Sequence, residues 1–168
     1  EAARLCALGT LSDGAMSYGQ LATSVRAFID RVQGPTLDVM GSSIELLKYE
    51  GLVATSTGDG DLETLAITLE GHVELKSLLV AHVRPGAGDL NKLIVALKFR
   101  FMHLLDIDDQ RAQVGILIDT TEAELSRLTD LRQNHLPDSG HITTWIDFEI
   151  KALSERIEWL VQFKADLI

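Results

Sequence analysis

The chain is poor in the residues that build reactive centres. A single cysteine in 168 residues excludes an internal disulfide and a cysteine-based zinc site, and it suits a reducing compartment. Cys6 therefore reads as a small buried hydrophobe on the first helix. No run of 18 apolar residues and no basic, apolar leader is present, so neither a membrane span nor a signal peptide is expected and the protein is assigned to the cytoplasm. Cations are scarce: 15 Lys and Arg face 25 Asp and Glu, for a net charge of −10.

Catalytic patterns are missing as well. The five histidines, His72, His82, His103, His135 and His141, lack the i, i+4 pairing with a nearby carboxylate that a helical zinc site needs. Asp106-Ile107-Asp108-Asp109 has neither the glycine nor the distant glutamate of a calcium loop and is expected to cap a helix. Gly86-Ala87-Gly88 follows no strand and precedes no third glycine or lysine, so it is neither a phosphate loop nor a dinucleotide fingerprint. Nothing pairs a nucleophile with a base. The expectation is a protein that is not an enzyme and carries no cofactor and no metal.

What is there is a pattern of elements. With 46% hydrophobic residues a chain of this length buries one good core or two small ones. Ser17 followed three residues later by Gln20 has the spacing of a capping box, opening a helix with apolar positions Leu21, Val25, Phe28, Ile29 and Val32. Gly34-Pro35 stops it. A second periodic run, Leu37, Met40, Ile44 and Leu47, follows a cap at Thr36 or Asp38 and ends at Gly51, suited to the left-handed residue that closes a helix. Leu52 to Thr55 and Leu62 to Leu69 are short apolar and β-branched runs separated by Thr57-Gly58-Asp59-Gly60-Asp61, which is hairpin chemistry. Helix, helix, helix and hairpin, in that order, make a winged helix-turn-helix, with the third helix for recognition and the hairpin as the wing.

Here the chain resembles the PadR family of bacterial winged-helix regulators. The resemblance rests on Leu8-Gly9-Thr10-Leu11, Met16-Ser17-Tyr18-Gly19-Gln20-Leu21, Ile44 through Val53 (IELLKYEGLV), and Thr68-Leu69-Glu70-Gly71, four motifs in the family's order with a long helical C-terminal region after them. It implies a homodimer that reads a pseudo-palindromic site on double-stranded DNA and pairs through its C-terminal helices. It also implies a repressor that releases DNA on binding a small aromatic or lipophilic effector.

The chain departs from the family on the recognition helix, where an aromatic followed by proline and then basic residues is usual. Gly41-Ser42, Glu45 and Leu46 stand there instead. No Lys or Arg occurs from Tyr49 through Glu74, whereas Glu50, Asp59, Asp61, Glu63, Glu70 and Glu74 are acidic. Residues 1–83 hold five basic residues (Arg4, Arg26, Arg31, Lys48, Lys76) against eleven acidic, a net of −6. Phosphate neutralisation supplies most non-specific DNA affinity, so this balance argues for weak or unusual DNA binding. The polar residues best placed to meet DNA are Tyr18, Arg26, Arg31, Ser42, Ser43 and Lys48. The alternative for Tyr18 is packing or capping at the helix start, and for Lys48 pairing with Glu45.

Leu69 to His82 reads as the helix leaving the wing, and Val83 to Gly88 has linker composition. The domain boundary is placed there, giving a winged helix-turn-helix over 1–83 and a helical dimerisation domain over 84–168, mainly α overall. Asp89 would cap a helix through Leu105, the Asp106 cluster another to about Gln133, and the last helix would run from about His141 to the end. Lys92, Lys98, Arg100 and Arg111, the densest basic cluster, read as a solvated face. On the last helix Ile142, Ile146, Ile150, Leu153, Ile157 and Leu160 form one stripe. Trp145, Phe148, Ala152, Trp159 and Phe163 form another roughly 125° away. The second stripe should meet another subunit or a ligand, unless both belong to one wide core; Trp145, Phe148 and Trp159 are the candidate effector site. A second functional reading, a winged-helix scaffold that has lost DNA affinity and binds a protein partner, is favoured by the acidic wing.

Overall fold

The structure, a computed structural model, describes residues 1–34, 40–57, 63–83, 88–134 and 140–168. Its first helix, α1 (Ala2–Ser12), is buried at every residue from Leu5 to Leu11. A helix covered on all sides needs no polar face, which is why its sequence shows no amphipathic period. Cys6 lies within it, fully buried, and burial pushes its thiol up to about 11. A thiol so placed is a packing element rather than a nucleophile.

Around α1 the expected order appears: α2 (Tyr18–Gln33), α3 (Met40–Tyr49), β1 (Val53–Thr57), β2 (Glu63–Ile67) and α4 (Leu69–Val80). The capping box forms as its spacing predicts. The Ser17 hydroxyl accepts from the Gln20 amide at 3.3 Å, and the Ser17 amide donates to Gln20 Oε1 at 2.9 Å. Gly34 closes α2 and Gly51 follows α3, at φ of +89° and +74°, where a side chain would be strained. Neither Thr36 nor Asp38, the two expected caps of α3, lies among the described residues, and the same holds for the turn at 58–61. The strands pair antiparallel with Val53 opposite Ile67 and Thr55 opposite Leu65, and Val53 and Leu65 are turned into the core. Thr68 joins wing to helix: its hydroxyl accepts from the Gly71 amide at 3.0 Å and donates to the Gly51 carbonyl at 2.8 Å.

The core of this unit runs through Leu5, Leu8 and Leu11 of α1, Leu21, Val25 and Ile29 of α2, Ile44 and Leu47 of α3, and Leu75 and Leu79 of α4. It continues into α5 (Gly88–Phe101) through Leu93, Leu97 and Phe101, and ends at Leu105 beyond a 3₁₀ turn over Met102–Leu104. The chain accordingly divides into compact units at Glu1–Leu105 and Asp106–Ile168, where the sequence reading divides it at 83/84. The reason is physical: the Pro/Gly-bearing stretch after α4 reads as a linker, yet α5 beyond it lays its apolar stripe on α1 and α2.

The second unit is a helical hairpin of α6 (Ile107–Asn134) and α7 (Ile142–Asp166). The Asp106 carboxylate accepts from the Asp109 amide at 3.0 Å, so this acidic cluster does open a helix. The helices run antiparallel, with Arg111 donating to the Leu167 carbonyl at 2.6 Å at one end and Arg132 bonded to Asp147 at 2.7 Å at the other. Gln113, Val114, Leu117 and Thr121 of α6 and Ile146, Leu153 and Leu160 of α7 are its buried residues.

Candidate nucleic-acid interface

A side chain's availability to DNA depends on what already holds it, and several of this unit's cations are held. Arg4 bridges Glu50, at the end of α3, at 2.6 Å and Glu74, on α4, at 3.0 Å. It fastens three elements and has little left for a phosphate. Two of the four residues of the basic cluster, Lys98 and Arg100 on α5, are held within the fold as well. Lys98 is only 2% exposed and donates to the carbonyls of Leu79 and, at 2.7 Å, Ala81. It thereby satisfies carbonyls at the C-terminal end of α4 that no further helical amide reaches. Burial lowers its pKa to about 8. Arg100 lies over the Phe28 ring at 4.5 Å and the Phe101 ring at 4.8 Å, within cation–π range, with Nη1 4.0 Å from Cys6 Sγ. Lys92 and Arg111 remain exposed. A cation that seals a different helix leaves no local signature, so spacing could not distinguish Lys98 from its neighbours.

The helix-turn-helix brings together two of the six expected DNA-contacting residues. Tyr18, the first residue of α2, and Lys48, in the last turn of α3, line one groove of about 270 Å³ with Glu45, Glu63 and Leu65. A backbone bridge holds Tyr18's end of α2 there: the Met16 amide donates to Leu65 at 3.1 Å and the Leu65 amide to Met16 at 2.8 Å. Lys48 Nζ stands 4.0 Å from Glu45 and 3.9 Å from Glu63, so the pairing with Glu45 that the sequence allowed is present, joined by one to the wing. Arg26 and Arg31 are exposed on α2, about 12 Å and 20 Å along the axis from Tyr18 at 1.5 Å per residue. Arg31 turns back to donate to its own helix, at the Ala27 carbonyl, at 3.1 Å. Ser43 is half-buried, and the side chain of Ser42 lies outside the described residues.

Beyond the six residues expected to meet DNA, α3 presents an outward face of its own. Tyr49 is 90% exposed, and Leu46 and Glu45 are exposed too. Their signal was available, because positions 42, 45, 46 and 49 fall within an arc of about 100° at 3.6 residues per turn, opposite the buried Ile44 and Leu47.

On α7 the two stripes separate as their spacing predicts. Ile146, Leu153 and Leu160 are buried, while Trp145 is 50%, Phe148 66% and Trp159 53% exposed. Trp159 stacks on Phe163 at 5.4 Å between ring centroids. Trp145 and Trp159 lie about 21 Å apart along the axis, so within one chain Trp145, Phe148 and Trp159 do not line a single small-molecule pocket.

Residues 1–164 match the family described as "Putative AphA-like transcriptional regulator". No curated protein matches the chain. Among solved structures it is similar to the Bacillus subtilis PadR in complex with operator DNA, at 17% identity over 96% of both chains with a TM-score of 0.41. The same regulator in complex with p-coumaric acid gives 16% identity over 99% of both chains and a TM-score of 0.44. For smu.1604c from Streptococcus mutans UA159 the identity is 19%, over 97% of this chain and 98% of that one, with a TM-score of 0.41.

Proposed function

Since this chain belongs to the family of AphA-like transcriptional regulators, a PadR-like regulator family and not one of enzymes, we propose that it is a cytoplasmic repressor that binds a pseudo-palindromic DNA site as a homodimer. The observation that carries the reading is the groove in which Tyr18 and Lys48 meet at the junction of α2, α3 and the wing. A phenol and an ammonium at the ends of two helices of a helix-turn-helix are suited to positioning on a phosphate backbone. The exposed aromatic face of α7 supports pairing of two copies, since large apolar patches on soluble chains mark interaction sites. A small aromatic or lipophilic effector would then be taken where that face meets its partner, by the Trp145 and Phe148 group or by Trp159. Selection of genomic fragments with the purified protein at low and at physiological salt tests this, and enrichment of a two-fold related sequence is the expected result.

One set of contacts favours the second reading. The ion pairs of Lys48 with Glu45 and Glu63, and of Arg4 with Glu50 and Glu74, leave an acidic and apolar surface on α3 that suits a protein partner. If no fragment is retained at about 50 mM salt, where phosphate contacts are strong, the DNA-binding reading fails and the protein-partner reading takes its place.

A further inference from the structure

The outward face of α3 has a chemistry unlike that of its edges. Its centre holds Glu45, Leu46 and Tyr49, all exposed. Ser43 and Lys48 flank that arc on opposite sides by helical register. The Glu45 carboxylate and the Leu46 isobutyl group cannot gain affinity from phosphates, which repel the one and ignore the other; on this face only the Tyr49 phenol can. Base edges are different. In the major groove cytosine presents the N4 amino group as a donor and thymine its C5 methyl group, and a glutamate accepts from the first while an apolar side chain covers the second.

Resting on the reading of the protein as a DNA binder, we propose that Glu45 and Leu46 are its specificity-determining residues, with the Glu45 carboxylate accepting from a cytosine amino group and Leu46 covering a neighbouring thymine methyl group. Lys48 has a part in this. Its ammonium, 4.0 Å from Glu45 and 3.9 Å from Glu63, offsets the carboxylate's charge as the helix approaches the phosphates and restricts where the carboxylate lies. The side chain of Glu45 is 62% exposed, so its remaining acceptor capacity faces solvent, where a groove would be.

The test is selection from a randomised duplex library at low salt, using the full chain and the variants Glu45→Gln, Glu45→Ala and Leu46→Ala, with circular dichroism to confirm that each is folded. The unaltered protein should select a cytosine in each half-site by roughly tenfold or more over other bases, the range expected for one good base contact. Glu45→Ala should flatten that position. Glu45→Gln should move it towards adenine, whose N6 and N7 match an amide, and Leu46→Ala should relax a neighbouring thymine. Identical base preferences in the unaltered protein and Glu45→Gln overturn the proposal while leaving DNA binding intact, and so does a uniform rise in affinity for every sequence in Glu45→Ala. If the unaltered protein retains no duplex, the DNA-binding reading fails and the inference falls with it.

Discussion

A methyl group on Gly9 would stand 2.6 Å from the ring of Phe101, so α5 approaches α1 as closely as it does only because residue 9 has no side chain. Phe101 is among the largest fully buried side chains of its unit. Gly9→Ala must displace the ring or part the helices, and overpacking of this kind costs about 1–3 kcal/mol. Urea unfolding should show that loss. A variant as stable as the parent would mean that α5 does not pack against α1 at residue 9.

The buried Lys98 gives a pH signature of a particular sign. Its folded pKa of about 8 lies below the value of about 10.4 for an unfolded chain. Between these values the unfolded state binds more protons than the folded one, so stability rises with pH there. Lys98→Met has no titrating group there. The stability of the parent relative to this variant should therefore increase from pH 8 to pH 10, a comparison in which other titrating groups largely cancel. Below pH 8 the difference should be flat, and a relative loss of stability above pH 8 would contradict the burial of the ammonium.

The periodic elements were legible because each buries one face. The stripe of α2, the capping box at Ser17 and the left-handed Gly51 all announce themselves within a few residues. What was hidden depends on partners distant in sequence. The allegiance of α5 to the first unit comes from Phe101 meeting Gly9, 92 positions away. Lys98 looks like any surface lysine until the end of α4 is placed beside it, and Arg4 until Glu50 and Glu74 are. The candidate interface was legible in part. Tyr18, Lys48 and the pairing of Lys48 with Glu45 one turn earlier are local features of the sequence, but Glu63 comes from β2, and only folding brings it to the groove.

Both tryptophans of the chain, Trp145 and Trp159, lie on the exposed face of α7, so they report on whatever covers it. If two copies pair there, sedimentation at micromolar concentration should give a dimer, and dilution to the monomer should shift tryptophan emission to longer wavelength. Trp159→Glu places a charge in that seam, which is costly to bury unpaired, and should dissociate the dimer while leaving the hairpin folded, because Trp159 is not among the residues that α7 buries against α6. A parent that sediments as a monomer removes the dimer from the proposed function.

The cation inventory sets how DNA affinity must respond to salt. The unit that carries the helix-turn-helix has nine basic and twelve acidic residues over 1–105, a milder balance than the −6 of residues 1–83. The gain is small in practice, since Lys98 is buried and Arg100 lies on aromatic rings. Few phosphates can be neutralised, so log affinity should fall against log salt with a slope of only about two to five for a dimer, at roughly 0.9 per phosphate contact. Removing Lys48 should then act twice. A lost phosphate contact lowers affinity for all sequences alike and reduces the slope. Glu45 and Glu63, no longer offset by the ammonium, add repulsion that strengthens as salt is lowered. Lys48→Ala should consequently weaken binding most at the lowest salt, with the difference from the parent narrowing as salt rises and screening shortens. Binding that Lys48→Ala and Arg31→Ala both leave untouched would show that the groove between α2, α3 and the wing does not face DNA.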